Sequence, residues 1–584
     1  MKKNLILLSL TSLLCVSQGC VERKSQSVTP AISRDSEIEA KVEKVLKGMD
    51  LTEKVGQMIQ LTSSTVTVQG KPEIDPDKLQ KVIGEMKVGS ILNTFADVAQ
   101  SRELTAKLVS EIQKKSMEEI GIPCIYGLDM IHGASYLTDA TFFPQEINLA
   151  ATFNREYARA MGDAMAYETR AAMVPWVFSP VMDLGRNPVW PRHWESFGED
   201  PYLNAEMAVA ETRALQGDDP NHIDDKHVAV SVKHFMAYGV PVSGKDRTPA
   251  LVPENELREK YFRPFKDCLE AGALTLMVNS ASINGIPTHA NKELLTGWVK
   301  NDLDWDGLIV TDWADINNLF ERDHVAKDRK EALAMGINAG IDMIMEPYDP
   351  SCCTELKEVV EAGMIPMSRI DDAVRRVLRL KFRLGLFDNP IWDVSGFDKF
   401  ACKEFQDASY AAAVESEVLL KNEGNILPLE YGKRILVTGP NANSMRTLNG
   451  GWSYTWQGDA DRYAGDYNTI YEALAQKFGE RNVVYEPGVT YDETDRWSTG
   501  AWQKENAPQI AKAVAAASRV DVIVACVGEN SYCETPGNID DLNLSGNQKE
   551  LVKALAKTGK PIILVINEGR PRVLREIEPL AKAV

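Results

Sequence analysis

The sequence predicts an α/β protein in which a (β/α)8-like barrel is followed by a smaller α/β sandwich domain. With 584 residues, the chain is longer than one hydrophobic core usually organises, so two domains are expected. Short apolar runs alternate with amphipathic helical stretches, which is the pattern of parallel βα units. Polar residues follow most of these runs, as expected where barrel strands open on one active-site mouth.

The predicted barrel domain covers residues 37–390. Its apolar runs are 88–92, 124–128, 176–182, 228–232, 274–278, 308–310 and 341–345. Continuous apolar runs are typical of strands buried on both faces of a parallel sheet. Because an ideal barrel has eight strands and about seven are visible, an open doubly wound sheet is an alternative. An amphipathic helix over residues 370–384, followed by Asp388-Asn389-Pro390, ends the domain.

Polar residues at the strand ends are candidates for chemistry. They are Asp129, Asp183, Lys233, His234, Asp312 and Glu346. The alternative is that such acids only cap the following helices, which we expect for Asp183. Asp312 ends the run 307–311 and is followed by Trp313. An acid beside an aromatic ring at a strand end suggests sugar chemistry.

The predicted second domain covers residues 410–584, after a linker over 391–409. Its apolar runs are 434–438, 483–485, 520–527 and 561–566. The chain stops inside an amphipathic stretch, so we expect this domain to be incomplete at its C-terminus. The run 520–527 leads into a loop that contains Glu529 and Glu534. Both lie past the carboxyl end of a strand, where α/β sheets bind ligands, so either can be the functional acid.

The N-terminus predicts export. Residues 1–20 resemble a signal peptide of lipoprotein type, with Cys20 as the lipidated residue, and residues 21–36 have the composition of a tether. We therefore expect an exported protein, periplasmic or anchored to the outer membrane of a Gram-negative-type bacterium. The only predicted membrane contact is a lipid anchor at Cys20.

Composition narrows the range of partners. A net charge of −19 argues against nucleic acid and favours a neutral substrate. No two cysteines are spaced as CxxC and the histidines are scattered, so no metal site is predicted.

Several sequence blocks resemble glycoside hydrolase family 3. They are the segment from Met49 to Met58, Gly127-Leu128-Asp129-Met130-Ile131-His132-Gly133, Glu195-Ser196-Phe197-Gly198-Glu199-Asp200-Pro201, Lys233-His234-Phe235, Thr311-Asp312-Trp313, the segment from Asn338 to Met343, Val418-Leu419-Leu420-Lys421-Asn422 and Gly450-Gly451-Trp452. The blocks occur in order along nearly the whole chain. The chain is most similar to exported bacterial β-glucosidases and plant-type β-glucan exohydrolases.

The resemblance implies a set of site residues and no cofactor. Asp312 is the implied nucleophile, and Glu534, rather than Glu529, is the implied acid/base. The sugar-binding residues implied are Asp129, Arg192, Lys233, His234, Trp313 and Trp456. The two tryptophans are expected to clamp the next sugar, although Trp452 is an alternative to Trp456. In two departures from the family pattern, Ser280 replaces a tyrosine of many relatives and Arg247 replaces an acid of the plant enzyme.

The implied activity is that of a retaining, exo-acting β-glucosidase. It would remove terminal non-reducing β-D-glucosyl residues from β-gluco-oligosaccharides through a covalent glycosyl-enzyme intermediate. We expect Lys233 and Arg192 to lie near Asp312, and Glu534 to lie away from cations. The alternatives are a β-xylosidase of the same family and a non-catalytic sugar-binding lipoprotein. In the N-acetylglucosaminidases of the family, the acid/base is a histidine in the loop after the Lys-His pair. Residues 243–248, which form this loop here, contain no histidine, so this activity is disfavoured.

Overall fold

A computed structural model describes residues 29–584 of the protein. The predicted signal peptide, Cys20 and the first part of the predicted tether lie outside the described residues. Within the described part, no helix combines the length and the apolar character needed to cross a membrane.

Eight parallel strands form the predicted barrel, each paired with its neighbours in chain order. They are β1 (Ile59–Thr62), β2 (Ser90–Leu92), β3 (Ile125–Leu128), β4 (Trp176–Val177), β5 (Ala229–Phe235), β6 (Thr275–Val278), β7 (Leu308–Val310) and β8 (Ile344–Met345). Strand β8 returns to pair with β1, and a parallel bridge between Val310 and Met343 joins β7 to β8. The barrel prediction is confirmed, and the alternative of an open sheet is wrong.

Strand β1 is the one that the apolar runs did not reveal. Its sequence is Ile59-Gln60-Leu61-Thr62, so polar residues interrupt it, yet all four residues are buried. Gln60 donates a hydrogen bond to the hydroxyl of Ser90 on the neighbouring strand at 2.8 Å. A buried polar side chain is tolerated when it is hydrogen-bonded in this way, and this strand therefore does not read as a continuous apolar run.

Helices surround the barrel. They are Ser36–Gly48, Leu51–Gln57, Pro76–Leu79, Arg102–Glu119, Glu146–Ala151, Arg155–Arg170, Pro201–Gln216, Glu254–Glu256, Arg263–Glu270, Asp315–Glu321, Arg329–Ala339, Cys352–Glu361 and Met367–Arg383, with π-helical segments at Gln80–Glu85, Leu257–Phe262 and Glu293–Asn301. The last helix is the amphipathic one predicted over residues 370–384. It packs along the first helix, where Arg379 forms an ion pair with Glu39.

The second domain contains a four-stranded parallel sheet. Its strands are β9 (Ile435–Thr438), β10 (Val483–Tyr485), β11 (Val522–Gly528) and β12 (Ile562–Asn567), in the spatial order β10-β9-β11-β12. Its helices are Met445–Asn449, Ala460–Tyr463, Ile470–Phe478, Ile510–Ala517 and Gly546–Ala556, preceded by Lys403–Ser416. Separate apolar clusters cover the two faces of the sheet, as the sandwich prediction requires.

The two domains share apolar contacts at the barrel mouth. Trp452, Trp502, Tyr532 and Cys533 belong to the second domain by sequence but pack into the barrel's core cluster. All four are buried. Loops of the second domain are therefore held against the carboxyl ends of the barrel strands.

Candidate active site

The site residues predicted in the barrel lie at or just beyond the carboxyl ends of its strands. Asp129 follows β3 directly, and Lys233 and His234 lie in the last part of β5. Asp312 lies two residues beyond β7, and Arg192 lies in the long loop after β4. In a parallel barrel these ends meet at one mouth, so five side chains that are far apart in sequence face the same region.

Asp312 is buried, with 6% of its surface exposed. Its Oδ1 accepts a hydrogen bond from the backbone N–H of Trp313 at 2.5 Å, and its Oδ2 has no hydrogen-bond partner among the described residues. The following helix, Asp315–Glu321, receives no side-chain cap from Asp312. The helix-cap alternative therefore does not explain Asp312, which keeps one carboxylate oxygen available for chemistry.

Asp129 and Lys233 form an ion pair across the mouth. The Nζ of Lys233 lies 2.6 Å from Oδ1 of Asp129 and 5.5 Å from the ring of Trp452. Burial raises the pKa of Asp129, and the charge of Lys233 opposes this rise. The pair presents a carboxylate and an ammonium group at hydrogen-bonding distance from each other, which suits recognition of neighbouring sugar hydroxyls.

His234 pairs with Asp183, and the expected helix-cap role of Asp183 is wrong. The Nδ1 of His234 lies 2.7 Å from Oδ2 of Asp183, whereas the following helix is capped by Asp200. Burial raises the pKa of Asp183 well above its usual range and lowers that of His234 well below it. The hydrogen bond between them orients the imidazole ring.

Arg192 lies between two carboxylates. Its guanidinium binds Glu195 through two nitrogens at 2.7 and 3.0 Å, and its Nη1 lies 3.7 Å from Oε1 of Glu534. Burial opposes the charge of Arg192, but the attraction of Glu195 and Glu534 outweighs burial and raises the pKa of the guanidinium. Arg192 is thus a permanent cation at the boundary between the domains.

The loop that carries Glu534 leaves β11 at Gly528. Gly528 has a φ of +145°, and a side chain there would meet the backbone oxygen of Asn567 at 1.9 Å, so only glycine fits. Gln457 holds the next part of the loop through hydrogen bonds to the backbone N–H and C=O of Cys533. Glu534 itself has a φ of +52°, a strained conformation for a residue other than glycine.

The expectation that Glu534 lies away from cations is wrong. Glu534 lies next to both Arg192 and Arg247, whereas Lys233 pairs with Asp129 rather than with Asp312. The neighbours of Glu534 in sequence carry no positive charge, but docking of the loop on the barrel brings two arginines to it. Sequence distance was therefore a poor guide to the charges that surround this side chain.

Glu529, the other acid of this loop, is turned into the second domain. Its carboxylate accepts hydrogen bonds from the hydroxyl of Tyr532 at 2.7 Å and from Nη1 of Arg572 at 3.0 Å, and it lies 3.4 Å from Arg570. The side chain is 2% exposed. These partners all belong to the second domain. Glu529 therefore anchors the loop that carries Glu534 to the barrel mouth.

Two partly buried tryptophans each pack against an exposed aromatic ring. Trp313 lies edge-on to Tyr348 with ring centroids 5.5 Å apart, and Trp456 lies 5.9 Å from Trp497. Sequence reasoning missed both partners because each lies in a loop outside any recognised block. Trp452 is buried against Tyr136, which is the contact expected of a packing residue.

Arg247 contacts both predicted catalytic carboxylates. Its Nη2 lies 3.1 Å from Oε2 of Glu534 and 3.8 Å from Oδ1 of Asp312. Since both oxygens lie near one nitrogen, they are no more than about 7 Å apart, a limit that admits the separation of about 5 Å expected between the two carboxyl groups of retaining glycosidases. In the sequence, Arg247 stood out only as a departure from the family pattern. Nothing in the sequence indicated that it lies between the two carboxylates.

Both domains match known family models. Residues 50–380 match the model described as "Glycosyl hydrolase family 3 N terminal domain", and residues 417–584 match "Glycosyl hydrolase family 3 C-terminal domain". The chain is similar to a "Lysosomal beta glucosidase" of Dictyostelium discoideum, with 38% identity over 555 residues. It is also similar to a "Periplasmic beta-glucosidase" of Salmonella typhimurium, with 30% identity over 566 residues.

A solved structure shares the fold over nearly the whole chain. A mutant exo-1,3/1,4-β-glucanase from a Pseudoalteromonas species superposes with a TM-score of 0.81 at 29% identity, covering 94% of this chain and 86% of that one. The chain covers 66% of the Dictyostelium relative and 70% of the Salmonella relative, while 91% and 94% of the chain itself are matched. The similarity thus extends over both domains, and the chain spans about two thirds of the length of these relatives.

Proposed function

The chain belongs to glycoside hydrolase family 3, and we propose that it is a retaining, exo-acting β-glucosidase. The observation that carries the proposal is the meeting of two carboxylates from different domains, Asp312 and Glu534, around one guanidinium at the barrel mouth. Two facing carboxylic groups are what hydrolysis of a glycosidic bond requires.

In the first step, Asp312 attacks the anomeric carbon of the terminal sugar. The bond from that carbon to the leaving oxygen breaks, and Glu534 donates a proton to the leaving oxygen. A covalent ester then joins the sugar to Asp312. Oδ2 of Asp312 has no hydrogen bond from residues 29–584, which supports its assignment as nucleophile, since no contact with this part of the chain has to be broken before attack.

In the second step, Glu534 accepts a proton from water. The water oxygen attacks the anomeric carbon, and the ester bond to Asp312 breaks. Two inversions at this carbon give net retention of the β configuration. Asp129, Lys233, Arg192 and His234 are proposed to bind the hydroxyls of the reacting sugar, with Trp313 and Trp456 stacking on the next sugar.

The test compares hydrolysis of p-nitrophenyl β-glucoside by the wild type with that by Asp312→Ala and Glu534→Ala. We expect both substitutions to lower kcat/KM by at least about a hundredfold, because each removes a group that acts in the transition state. Added azide should then give the β-glucosyl azide with Glu534→Ala and the α-glucosyl azide with Asp312→Ala, since each small anion enters from the face that the missing carboxylate occupied. Glu254→Gln, a change at an exposed glutamate, is the control.

Other outcomes assign other functions. Faster turnover of the β-xyloside than of the β-glucoside would make the protein a β-xylosidase. Sugar binding without turnover by the wild type would make it a binding protein and would reject the catalytic roles of both carboxylates. The α-glucose anomer as first product, detected by NMR, would reject retention.

Export is part of the proposal. It is supported by the lipoprotein-type sequence at residues 1–20 and by the similarity to a periplasmic relative. We expect the full chain to be found in the membrane fraction of a Gram-negative host and the Cys20→Ala variant to be absent from it. Equal membrane association of both proteins would reject the lipid anchor.

A further inference from the structure

We propose that Arg247 is a positioning residue that holds the carboxyl group of Glu534 opposite Asp312. The proposal rests on the function proposed above and adds a residue to it. Arg247 belongs to the barrel, in the loop between β5 and β6, whereas Glu534 belongs to the second domain. A contact between them therefore sets the geometry of a site that neither domain contains alone.

The guanidinium of Arg247 is fixed from the barrel side. Its Nη1 donates to the hydroxyl of Ser280 at 2.7 Å, and Ser280 in turn donates to Oδ1 of Asp315 at 2.7 Å. Arg322 donates to the backbone oxygen of Ser280 at 3.0 Å. With Ser280 held by two further residues, Nη2 of Arg247 is directed at Glu534 and Asp312.

The residues next to Arg247 dock the same loop. Lys245 donates to the backbone oxygen of Ile539 at 2.7 Å, and Asp246 accepts a hydrogen bond from the hydroxyl of Thr535 at 2.9 Å. The backbone N–H of Asp246 donates to the side chain of Asn538 at 2.9 Å. Three consecutive barrel residues thus bind residues 534–539, and Arg247 is the one that reaches the carboxylate.

Electrostatics keep Arg247 in its charged form. Burial opposes the charge of Arg247, but the carboxylates of Asp312 and Glu534 are among the groups that overcome burial and raise the pKa of the guanidinium well above its usual range. Arg247 is therefore cationic at neutral pH, as arginine side chains in proteins are. A planar guanidinium with several N–H donors can bind a hydroxyl and a carboxylate at once, which a lysine ammonium does with less directional control.

A positioning role differs from sugar binding in its dependence on the leaving group. A residue that positions the acid matters most when the leaving oxygen needs a proton, and least when the leaving group departs unaided. A residue that binds the sugar affects both kinds of substrate equally. Values of kcat/KM for aryl β-glucosides with 2,4-dinitrophenol and with 4-methylphenol as leaving groups separate the two roles.

The experiment compares the wild type with Arg247→Met, Arg247→Lys and the control Arg263→Met, whose arginine is on the surface with 64% of its side chain exposed. For Arg247→Met we expect kcat/KM to fall roughly thirtyfold with the 4-methylphenyl substrate and less than about threefold with the dinitrophenyl substrate, a part of the full effect of a general acid. Arg247→Lys should fall between Met and wild type. Arg263→Met should match the wild type on both substrates.

The same substitution, made in a variant that lacks the acid, distinguishes a positioning role from general damage to the fold. In Glu534→Gln, the change Arg247→Met should cause no further loss, because a residue that acts through Glu534 is not additive with its removal. Ser280→Ala, which removes only the hydroxyl that fixes Arg247, should give a smaller loss of the same leaving-group dependence. Thermal unfolding of each variant checks that it is folded at the assay temperature.

Equal loss on both substrates, additive loss in the Glu534→Gln background, or no loss at all would overturn the positioning role. Each of these results presupposes a wild type that hydrolyses both glucosides. A wild type that hydrolyses neither would reject the proposed function itself, so the two failures are distinguishable.

Discussion

The barrel side and the second-domain side of the mouth are built in different ways. On the barrel side, Asp129 and Asp312 lie within two residues of a strand end, and Asp129 is held by Lys233 of the same barrel. On the other side, Glu534 lies six residues beyond β11 and meets its charged partners, Arg192 and Arg247, across the domain boundary. The hydrogen-bonded strands of the barrel position Asp129 and Asp312, whereas the docking of the second domain on the barrel positions Glu534.

This difference predicts that the second-domain half is the more easily disturbed. The two barrel acids follow closely on strands of the hydrogen-bonded barrel sheet. Glu534 depends on three independent supports, which are the anchor at Glu529, the hydrogen bonds of Gln457 to Cys533 and the contacts of residues 245–247. Substitutions at such supports should change activity without touching a sugar.

The largest effect is expected from Glu529→Gln. This change leaves Arg570 and Arg572, both nearly inaccessible to solvent, without their shared carboxylate. Removing one partner of a buried ion pair costs about 3–5 kcal/mol, so the free energy of unfolding should fall by an amount of this order. Urea unfolding followed by tryptophan fluorescence measures it, and hydrolysis of p-nitrophenyl β-glucoside should fall with it.

The control for this prediction is Glu578→Gln, which removes the partly exposed pair with Lys421. Exposed pairs contribute less than about 1 kcal/mol, so this variant should resemble the wild type. Equal destabilisation by the two substitutions would contradict the anchoring role of Glu529.

The dependence of stability on pH can be compared for one glutamate of each domain. Burial raises the pKa of Glu346, directly after β8, to about 7 and that of Glu568, directly after β12, to about 8. Each group keeps its proton in the folded state when the unfolded chain has already lost it. Stability should therefore fall as pH rises from about 4.5 to about 7 or 8, by at most about 1.4 kcal/mol per pH unit for each group, and remain level above this window.

Urea unfolding at pH 5 and pH 8 checks this prediction. Glu346→Gln should lose less stability than the wild type over this range, and Glu568→Gln should also lose less, because glutamine does not titrate. If both variants follow the wild type in parallel, neither glutamate has the raised pKa.

The smallest effects are expected at the two tryptophans. Trp313→Ala on the barrel side and Trp456→Ala on the second-domain side should each raise KM for a β-linked glucose disaccharide about tenfold, which corresponds to about 1.4 kcal/mol of lost stacking. Neither should change the kcat for that disaccharide as strongly as Glu534→Ala. Steady-state kinetics measures both constants.

Trp497→Ala serves as the control for this pair. Trp497 contacts Trp456 but has 58% of its surface exposed, so its loss should raise KM less than the loss of Trp456. An unchanged KM in Trp456→Ala together with a raised KM in Trp452→Ala would assign the stacking role to Trp452.

The sequence by itself determined most of the fold. Seven of the eight barrel strands and all four strands of the second sheet read as apolar runs, because strands covered on both faces need apolar residues on both. Asp129, Lys233, His234 and Asp312 could be proposed as site residues because the fold brings every strand end to one mouth. Strand β1 was missed because Gln60 and Thr62 are buried but polar.

Only the tertiary structure decided which cations surround each acid of the loop after β11. Strand-end position alone left Glu529 and Glu534 equivalent, and the family resemblance favoured Glu534. In the structure the first is buried among Arg570 and Arg572 and the second faces Arg192 and Arg247. Hydrogen bonds and ion pairs depend on distances of a few ångströms between residues hundreds of positions apart. Strand patterns are local and can be read along the chain, whereas the docking of one domain on another is a property of two surfaces together.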